Sequence, residues 1–185
     1  MNGCIVLLDG AKGAGKTTVS RILQQRSNRI VYLSLDIERR VLDNQERSRT
    51  ELNAEAFENI LKKTAEKLGN GHIIVIDCGL KPERVSRIDS LAADKNVKVY
   101  KFLLKASYEV LLDRVRSRDS TKGKETDEKR FEEVYNIVHG KKFDDFNIIE
   151  TDKLRPEEIA DAIIKILLGY MTTIKKVYRI ARDIK

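Results

Sequence analysis

Short apolar runs alternate along the chain with longer segments whose apolar residues follow helical spacing. The apolar runs predict five strands, over residues 5–8, 29–35, 72–77, 97–104 and 146–151. Runs of this kind are typical of strands that are buried on both faces. Helices are predicted from residue 18 onwards and over residues 37–42, 54–68, 81–94, 108–118, 127–138 and 157–168. This alternation predicts an α/β domain with a parallel sheet covered by helices on both sides.

The segments between these elements complete the predicted domain. Residues 43–53 are polar and interrupt the apolar pattern, which predicts an exposed, mobile connection. Ser107 is predicted to cap the helix that begins at Tyr108. We expect one domain over residues 1–169, with a lid at about 114–140, and an appended basic helix over residues 170–185. That last segment has an apolar stripe at helical spacing flanked by Lys and Arg residues.

Composition narrows the class of protein without deciding its activity. The 185 residues are 41% hydrophobic and 35% charged, with a formal net charge of +7. No run of eighteen apolar residues is present, so no membrane span is expected. The two cysteines, Cys4 and Cys78, lie in or beside predicted strands and are expected to be packed thiols in the cytoplasm. The positive charge is compatible with a phosphorylated or nucleic-acid substrate.

A glycine-rich loop follows the first predicted strand and precedes the first predicted helix. Its sequence fits the P-loop pattern G-x-x-x-x-G-K-[ST], which cradles nucleotide phosphates with backbone N–H groups and a helix N-terminus. A glycine-rich turn that matches by chance is the alternative, and the strand–loop–helix context argues against it. The residues expected to bind ATP phosphates are Gly10, Ala11, Lys12, Gly13, Ala14, Gly15, Lys16, Thr17 and Thr18.

An acid closes the third predicted strand, as in a Walker-B motif. Asp77 follows four apolar residues, and the carboxyl ends of parallel strands meet at one edge of the sheet. Asp77 is therefore expected to bind Mg²⁺ together with the Thr17 hydroxyl. A strand-end Asp that caps the next loop is the alternative.

A second acid and an arginine follow the second predicted strand. Asp36 at that strand's carboxyl end could accept the proton of an incoming hydroxyl. Arg39 lies one helical turn later, so it can share the same face and bind an anionic group of the acceptor. The alternative is a capping Asp followed by a solvated Arg.

Two arginines share a helix face further along the chain. Arg114 and Arg118 are four residues apart and precede a polar loop, which suits a lid that closes over phosphates. A solvated basic helix end is the alternative, because cations are favoured at helix C-termini.

The P-loop, the Asp36-x-x-Arg39 step and the Arg114…Arg118 pair together resemble the small P-loop kinases of the adenylate-kinase type. Over residues 5–138 the set is most similar to the phage-type polynucleotide 5′-kinase domain, whose Walker-B region resembles the stretch 77–84, Asp-Cys-Gly-Leu-Lys-Pro-Glu-Arg. The resemblance implies a three-layer P-loop NTPase sandwich with strand order 2-3-1-4-5.

The resemblance also implies a role for each matching residue. Asp36 would be the general base, Arg39 would bind the acceptor-side phosphate and Arg118 would bind donor phosphate. Arg114 would lie near the adenine or the phosphates.

The expected function is therefore transfer of the γ-phosphoryl group of ATP to a hydroxyl, preferably the 5′-OH end of RNA or DNA. Gluconate kinases, antibiotic phosphotransferases, zeta-type toxins and adenylylsulfate kinases share the framework, so a small-molecule acceptor is the alternative. A nucleotide-dependent switch is a third possibility, although a switch needs no acceptor base. The guanine-reading motif N-K-x-D is absent from the sequence, which favours ATP.

Overall fold

The structure is a computed structural model that describes residues 3–42, 47–79, 81–140 and 145–182, with the backbone alone described for 170–182. The strands are β1 (Cys4–Gly10), β2 (Ile30–Ser34), β3 (Ile73–Asp77), β4 (Lys98–Lys105) and β5 (Asn147–Glu150). The helices are α1 (Lys16–Arg26), α2 (Leu35–Leu42), α3 (Arg49–Gly69), α4 (Pro82–Asp94), α5 (Tyr108–Ser120), α6 (Glu128–His139) and α7 (Pro156–Arg182).

The five strands form one parallel sheet in the order β2-β3-β1-β4-β5. The central strand β1 pairs on both sides, so that Val6 lies opposite Val75 of β3 and Tyr100 of β4. The predicted fold class and strand order are confirmed. Ligands of such sheets bind at the carboxyl ends of the strands, which is the edge where β1 enters the glycine-rich loop.

The sheet separates two hydrophobic cores, because successive side chains of a strand point to opposite faces. Val6 and Leu8 of β1 belong to the first core, which also contains residues of α1, α5, α6 and α7. Ile5 and Leu7 belong to the second core, which is covered by α2, α3 and α4. All four side chains are at most 1% exposed.

Helix α3 begins earlier than predicted, which corrects the expected connection over residues 43–53. The helix starts at Arg49, behind a capping box in which the Ser48 side chain accepts from the Glu51 N–H and Glu51 accepts from the Ser48 N–H. The sequence signal is the pattern S-x-x-E. In this pattern each of the two side chains accepts from the backbone N–H of the other residue, so that two N–H groups at the helix start gain a partner. Residues 43–46 of the predicted connection lie outside the described residues.

Two other predicted boundaries also differ. Helix α2 starts directly after β2, at Leu35, so Asp36 lies in the first turn of a helix and not at the end of a strand. Helix α7 continues through Gly169 to Arg182, because a single helical glycine costs only about 1 kcal/mol relative to alanine. The residues from Tyr170 onwards thus extend α7 instead of forming a second helix. Their apolar and basic side chains lie outside the described part of the chain.

Ser107 precedes α5 without a capping hydrogen bond from its side chain. Its hydroxyl donates instead to Asp152 Oδ1 at 2.7 Å, as does its backbone N–H at 2.9 Å. Over the described ranges, every helix is too short or too polar to cross a bilayer.

Candidate active site

The glycine-rich loop turns sharply between β1 and α1. Gly13 and Gly15 both have φ = 90°, in the left-handed region that favours glycine. A Cβ on Gly13 would also lie 2.8 Å from the Leu111 carbonyl oxygen, so the loop packs directly on α5. Helix α1 begins at Lys16 with no side-chain cap and no acid in its first turn. Its N-terminus therefore presents N–H groups and partial positive charge to an anion.

Lys16 lies across this loop. Its Nζ donates to the Gly10 carbonyl oxygen at 2.6 Å and to the Ala11 carbonyl oxygen at 3.3 Å. A phosphate entering the loop can replace these neutral acceptors with a charged one, which forms the stronger hydrogen bond. Ala11 and Ala14 are each 1% exposed and anchor the loop in the first core.

The carboxylate of Asp77 lies at the end of β3, opposite Ser34 of β2 in the parallel register. Burial raises the pKa of Asp77 to about 6; the Lys16 ammonium opposes this effect, and the nearby carboxylates of Asp9 and Asp36 add to it. Charges from the end of β1 (Asp9), the first turn of α2 (Asp36) and the glycine-rich loop (Lys16) thus all influence the Asp77 carboxylate. Asp36 and Asp77, which the sequence analysis placed at the carboxyl edge of the sheet, therefore lie close enough for their charges to interact, and Asp9 of β1 joins them.

We call the region between the loop 10–17, the start of α2 and Asp77 the crevice. Tyr32 of β2 also lies there, and the sequence analysis missed it. Its hydroxyl is buried beside Thr17, Ser34 and Asp77, and it makes no hydrogen bond of ordinary geometry with the described residues. Burial and the Asp77 charge raise the pKa of Tyr32. The signal in the sequence is a tyrosine within the otherwise apolar run 30–33.

The residues of this crevice fit Mg²⁺. The Thr17 hydroxyl and the Asp77 carboxylate are hard oxygen donors, which Mg²⁺ prefers, and the buried Tyr32 hydroxyl is an uncommitted oxygen beside them. Among the described residues, no group of three or more His, Cys, Asp or Glu side chains could hold a metal ion. Phosphate oxygens and water would therefore have to complete the coordination, as is usual for Mg²⁺.

Asp36 and Arg39 lie on one face of α2. Arg39 Nη2 is 2.9 Å from Asp36 Oδ1, and Arg39 Nη1 donates to Asn53 Oδ1 of α3 at 3.2 Å. The Arg39 side chain is 18% exposed, whereas that of Asp36 is 66% exposed. The arginine is thus fixed between two helices, and the carboxylate remains open to solvent.

A buried ion pair fixes α2 against α3 nearby. Glu38 is 7% exposed, and its two carboxylate oxygens accept from Lys63 Nζ at 2.7 and 2.8 Å. Because Glu38 lies between Asp36 and Arg39 in α2, this pair holds the helix that carries both predicted site residues.

The stretch after Asp77 positions another guanidinium at the end of β3. Arg84 Nη1 donates to the Cys78 carbonyl oxygen. Its guanidinium also lies 5.6 Å from the centroid of the Phe57 ring, and Phe57 is buried in the second core. These contacts tie the start of α4 to α3. Leu80 of the same stretch is outside the described residues.

The two predicted lid arginines have different partners. Arg114 donates to the Thr151 carbonyl oxygen at 2.8 Å, beyond the end of β5. Arg118 lies one turn later on α5 and is 3.1 Å from Asp119 Oδ1, while Asp119 Oδ2 is 3.2 Å from Lys12 Nζ of the glycine-rich loop. Asp119, placed by the sequence analysis in a loop, is thus a buried part of this site.

A parallel sheet with this strand order, a glycine-rich loop before α1 and an acid at the end of β3 define a P-loop NTPase fold. Residues 5–136 match the model of a family described as AAA domain. The match spans more than half of the 185 residues, and the chain belongs to this family.

Solved structures share the fold at low sequence identity. The tunicamycin resistance protein of Deinococcus radiodurans has a TM-score of 0.66 and 20% identity, with 90% of this chain and 96% of that chain covered. A gluconokinase from Sinorhizobium meliloti 1021 has a TM-score of 0.64 and 15% identity, with 96% of each chain covered. A chain of the Pnkp1/Rnl/Hen1 RNA repair complex has a TM-score of 0.66 and 17% identity, with 77% of this chain and 47% of that chain covered.

These likenesses show the fold, which the chain shares with kinases such as the gluconokinase. A search of curated proteins finds no match.

Proposed function

We propose that the protein is an ATP-dependent kinase that transfers the γ-phosphoryl group to a hydroxyl, and that its acceptor is the 5′-OH end of RNA or DNA. The observation that carries the proposal is the single crevice around Asp77. The charges of Lys16 from the glycine-rich loop and of Asp36 from α2 both act on this carboxylate. A nucleotide-binding loop, a metal-binding acid and an open carboxylate are therefore close together.

The crevice divides into two halves with different tasks. The donor half consists of the loop 10–17 with Arg118, and it would hold the triphosphate. The acceptor half consists of Asp36 and Arg39 on α2 and Asn53 on α3, and it would hold the incoming hydroxyl. Two carboxylates have a proposed role in the reaction, Asp36 as the base and Asp77 as the metal-binding acid. The side chain of Asp36 is 66% exposed and thus accessible to a substrate.

The chemistry follows from these positions. Asp36 accepts the proton of the acceptor hydroxyl while the acceptor oxygen forms a bond to the γ-phosphorus. The bond from that phosphorus to the β,γ-bridging oxygen breaks, and ADP leaves with the electron pair. Lys16 and Arg118 donate to phosphate oxygens as negative charge develops on them. Mg²⁺ held by Thr17 and Asp77 would neutralise charge on the phosphates.

The preference for a nucleic-acid end rests on the acceptor half. Arg39 is fixed by Asp36 and Asn53 beside the proposed base, where it could bind a phosphate adjacent to the reacting hydroxyl. The net charge of +7 favours a polyanionic substrate. The similarity to a chain of an RNA repair complex supports the same choice.

A small-molecule acceptor is the second candidate. The observation in its favour is that the gluconokinase covers 96% of this chain and is itself covered over 96% of its length. A sugar or alcohol acceptor would need the Asp36 base but no phosphate contact from Arg39.

The test is a transfer screen with γ-labelled ATP against 5′-OH RNA, 5′-OH DNA, nucleotides and sugars. We expect labelled 5′ ends, and an Asp36→Asn variant should lose about 10²–10⁴-fold in transfer rate, because an amide cannot take the proton. The variant should still bind Mg-ATP, measured by thermal shift. Glu66→Gln, at an exposed position of α3, is the control and should transfer normally. Transfer to sugars alone would support the second candidate, and near-native turnover of Asp36→Asn would refute the base assignment.

A further inference from the structure

Asp119 is a buried carboxylate whose side-chain partners surround the nucleotide loop. It lies in the last turn of α5 and is 9% exposed. An acid in this turn faces the negative end of the helix dipole, which disfavours it unless cations are nearby. The proposed phosphoryl transfer gives Asp119 no task, so its position calls for another explanation.

The two oxygens of Asp119 are divided between different parts of the site. Oδ1 accepts from Arg118 Nε at 3.3 Å and from Arg118 Nη2 at 3.1 Å. Oδ2 accepts from Lys12 Nζ at 3.2 Å and from Thr126 Oγ1 at 3.4 Å. One carboxylate thus joins the P-loop, the lid arginine and the polar loop 121–127 that follows α5.

The backbone of Asp119 holds the same loop. Its carbonyl oxygen accepts from the N–H groups of Lys122 and Lys124, both at 3.0 Å. The turn between them uses Gly123 with φ = 63°. The loop 121–127 is therefore attached to α5 at the residue that also pairs with Lys12.

The exposure of the three charged side chains is unequal. The side chain of Asp119 is 12% exposed, whereas those of Lys12 and Arg118 are 44% and 43% exposed. Burial raises the pKa of Asp119, but the hydrogen bonds from Arg118 and Lys12 outweigh it and hold that pKa below its usual value. Both cations keep solvent-facing donors, and each is paired through a contact that a phosphate oxygen could replace.

We propose that Asp119 is a positioning residue that holds Lys12 and Arg118 in place of the donor phosphates, and that nucleotide binding transfers both cations from Asp119 to the triphosphate. The proposal rests on the proposed function, because it takes the loop 10–17 as the phosphate site. It makes the Asp119 carboxylate a competitor of the ATP phosphates for Lys12 and Arg118. Thr126 and the N–H groups of Lys122 and Lys124 stay bonded to Asp119 during the exchange. The loop 121–127 therefore remains attached to α5 while Lys12 moves.

The test measures nucleotide affinity in the absence of an acceptor. Asp119→Asn keeps the shape and removes the charge, so the competitor is weakened. Its Kd for Mg-ATP, measured by titration calorimetry, should fall about three- to thirtyfold, as expected for two partly exposed ion pairs. The KM for ATP should fall in proportion. AMP, which lacks the β- and γ-phosphates, should bind with unchanged affinity.

Three further variants make the result specific. Asp113→Asn removes the same charge from an exposed position on α5 and should leave the Kd unchanged. In a Lys12→Gln/Arg118→Gln background, adding Asp119→Asn should bring no gain. Asp119→Ser removes the charge with a smaller side chain and provides a second test if the Asn variant does not fold.

Unchanged or weaker ATP binding in a folded Asp119 variant overturns the proposal, as does a gain that persists without Lys12 and Arg118. If the native protein binds no Mg-nucleotide at all, the proposed function fails and this inference fails with it. If ATP binds as expected but no acceptor is phosphorylated, only the proposed function fails.

Discussion

The donor and acceptor halves of the crevice are built in different ways. The donor half is a backbone cradle: the loop 10–17 packs on α5 through Gly13, and its alanines belong to the first core. The acceptor half is made of side chains, and Arg39 is fixed between Asp36 and Asn53 from two helices. Leu35 of α2 and Ala56 of α3 belong to the second core, on the other side of the sheet. Substitutions in one half should therefore leave the other half intact.

The largest expected effect comes from a substitution in the donor half. Lys16→Ala should lower phosphoryl transfer by at least about 10³-fold, because Lys16 would bind the phosphates and stabilise the charge that develops on them. The melting temperature without nucleotide should stay native, since Lys16 contacts only two loop carbonyl oxygens. Radiolabel transfer and thermal unfolding measure the two quantities.

The matched control for Lys16→Ala is Lys62→Ala, an exposed lysine on α3. It should show native transfer. If Lys16→Ala retained a Mg-ATP thermal shift equal to that of the native protein, the loop would not be the phosphate site.

The two halves also differed in how far they could be predicted from the sequence. The loop of the donor half is encoded by eight consecutive residues whose spacing already specifies the backbone, so Lys16 and Thr17 could be predicted directly. Asn53 lies fourteen residues from Arg39, and only the packing of α2 on α3 brings them together. Propensity does not encode such a contact. The capping box at Ser48 was readable, but the polar composition of residues 43–53 obscured the start of α3.

Asp119 shows a different limit of prediction from the sequence. Its charge was visible, but its burial depends on the approach of Lys12 across more than one hundred residues. The one available signal was an acid in the last turn of a helix, where the dipole disfavours it. Helix α7 illustrates the opposite case, because the sequence analysis ended a helix at residue 168, whereas α7 continues to Arg182.

The second-largest expected effect comes from a substitution in the acceptor half. Arg39→Ala should raise the KM for an acceptor with a phosphate beside the reacting hydroxyl by about 10–100-fold, the range expected for a hydrogen bond to a charged group. A nucleoside without that phosphate should be little affected. The Kd for ATP should stay native, because Arg39 belongs to the acceptor half.

Arg40→Ala provides the matched control, since Arg40 is the exposed neighbour on α2. Steady-state kinetics with a nucleoside 3′-phosphate and with the nucleoside measure the contrast. An equal increase in KM for both acceptors would show that Arg39 only holds Asp36 in place. It would favour a neutral sugar as the acceptor.

A third effect is expected where the halves meet, at Asp77. Its pKa of about 6 in the folded protein lies above the ordinary value of 3.8, so the charged carboxylate destabilises the fold at neutral pH. Asp77→Asn should raise the free energy of unfolding by about 2–3 kcal/mol at pH 7.5 without nucleotide. The gain should shrink to roughly half at pH 5, because the native carboxyl is then largely protonated when folded.

Urea unfolding at both pH values measures this gain, with Asp113→Asn as the exposed control. Because Asp77 would also bind Mg²⁺, the variant should lose Mg²⁺-dependent stabilisation by ATP while its apo form becomes more stable. A variant that is less stable than the native protein at pH 7.5 would show that Asp77 is a structural cap.

The smallest effect concerns the helix that supports the acceptor half. Ser48→Ala removes the side chain that accepts from the Glu51 N–H at 3.3 Å and donates to Glu51 Oε2 at 2.7 Å. Loss of such a cap typically costs about 1 kcal/mol, which corresponds to about 2–4 °C in Tm for a domain of this size. The first turns of α3 carry Asn53, so fraying there should loosen Arg39 and raise the acceptor KM by a few-fold. ATP affinity should not change, because α3 packs on the second core and the loop 10–17 on the first. Ser48→Thr, whose hydroxyl can accept and donate in the same way, should restore both values. An equal change in the Kd for ATP would show that the two halves are coupled through the sheet.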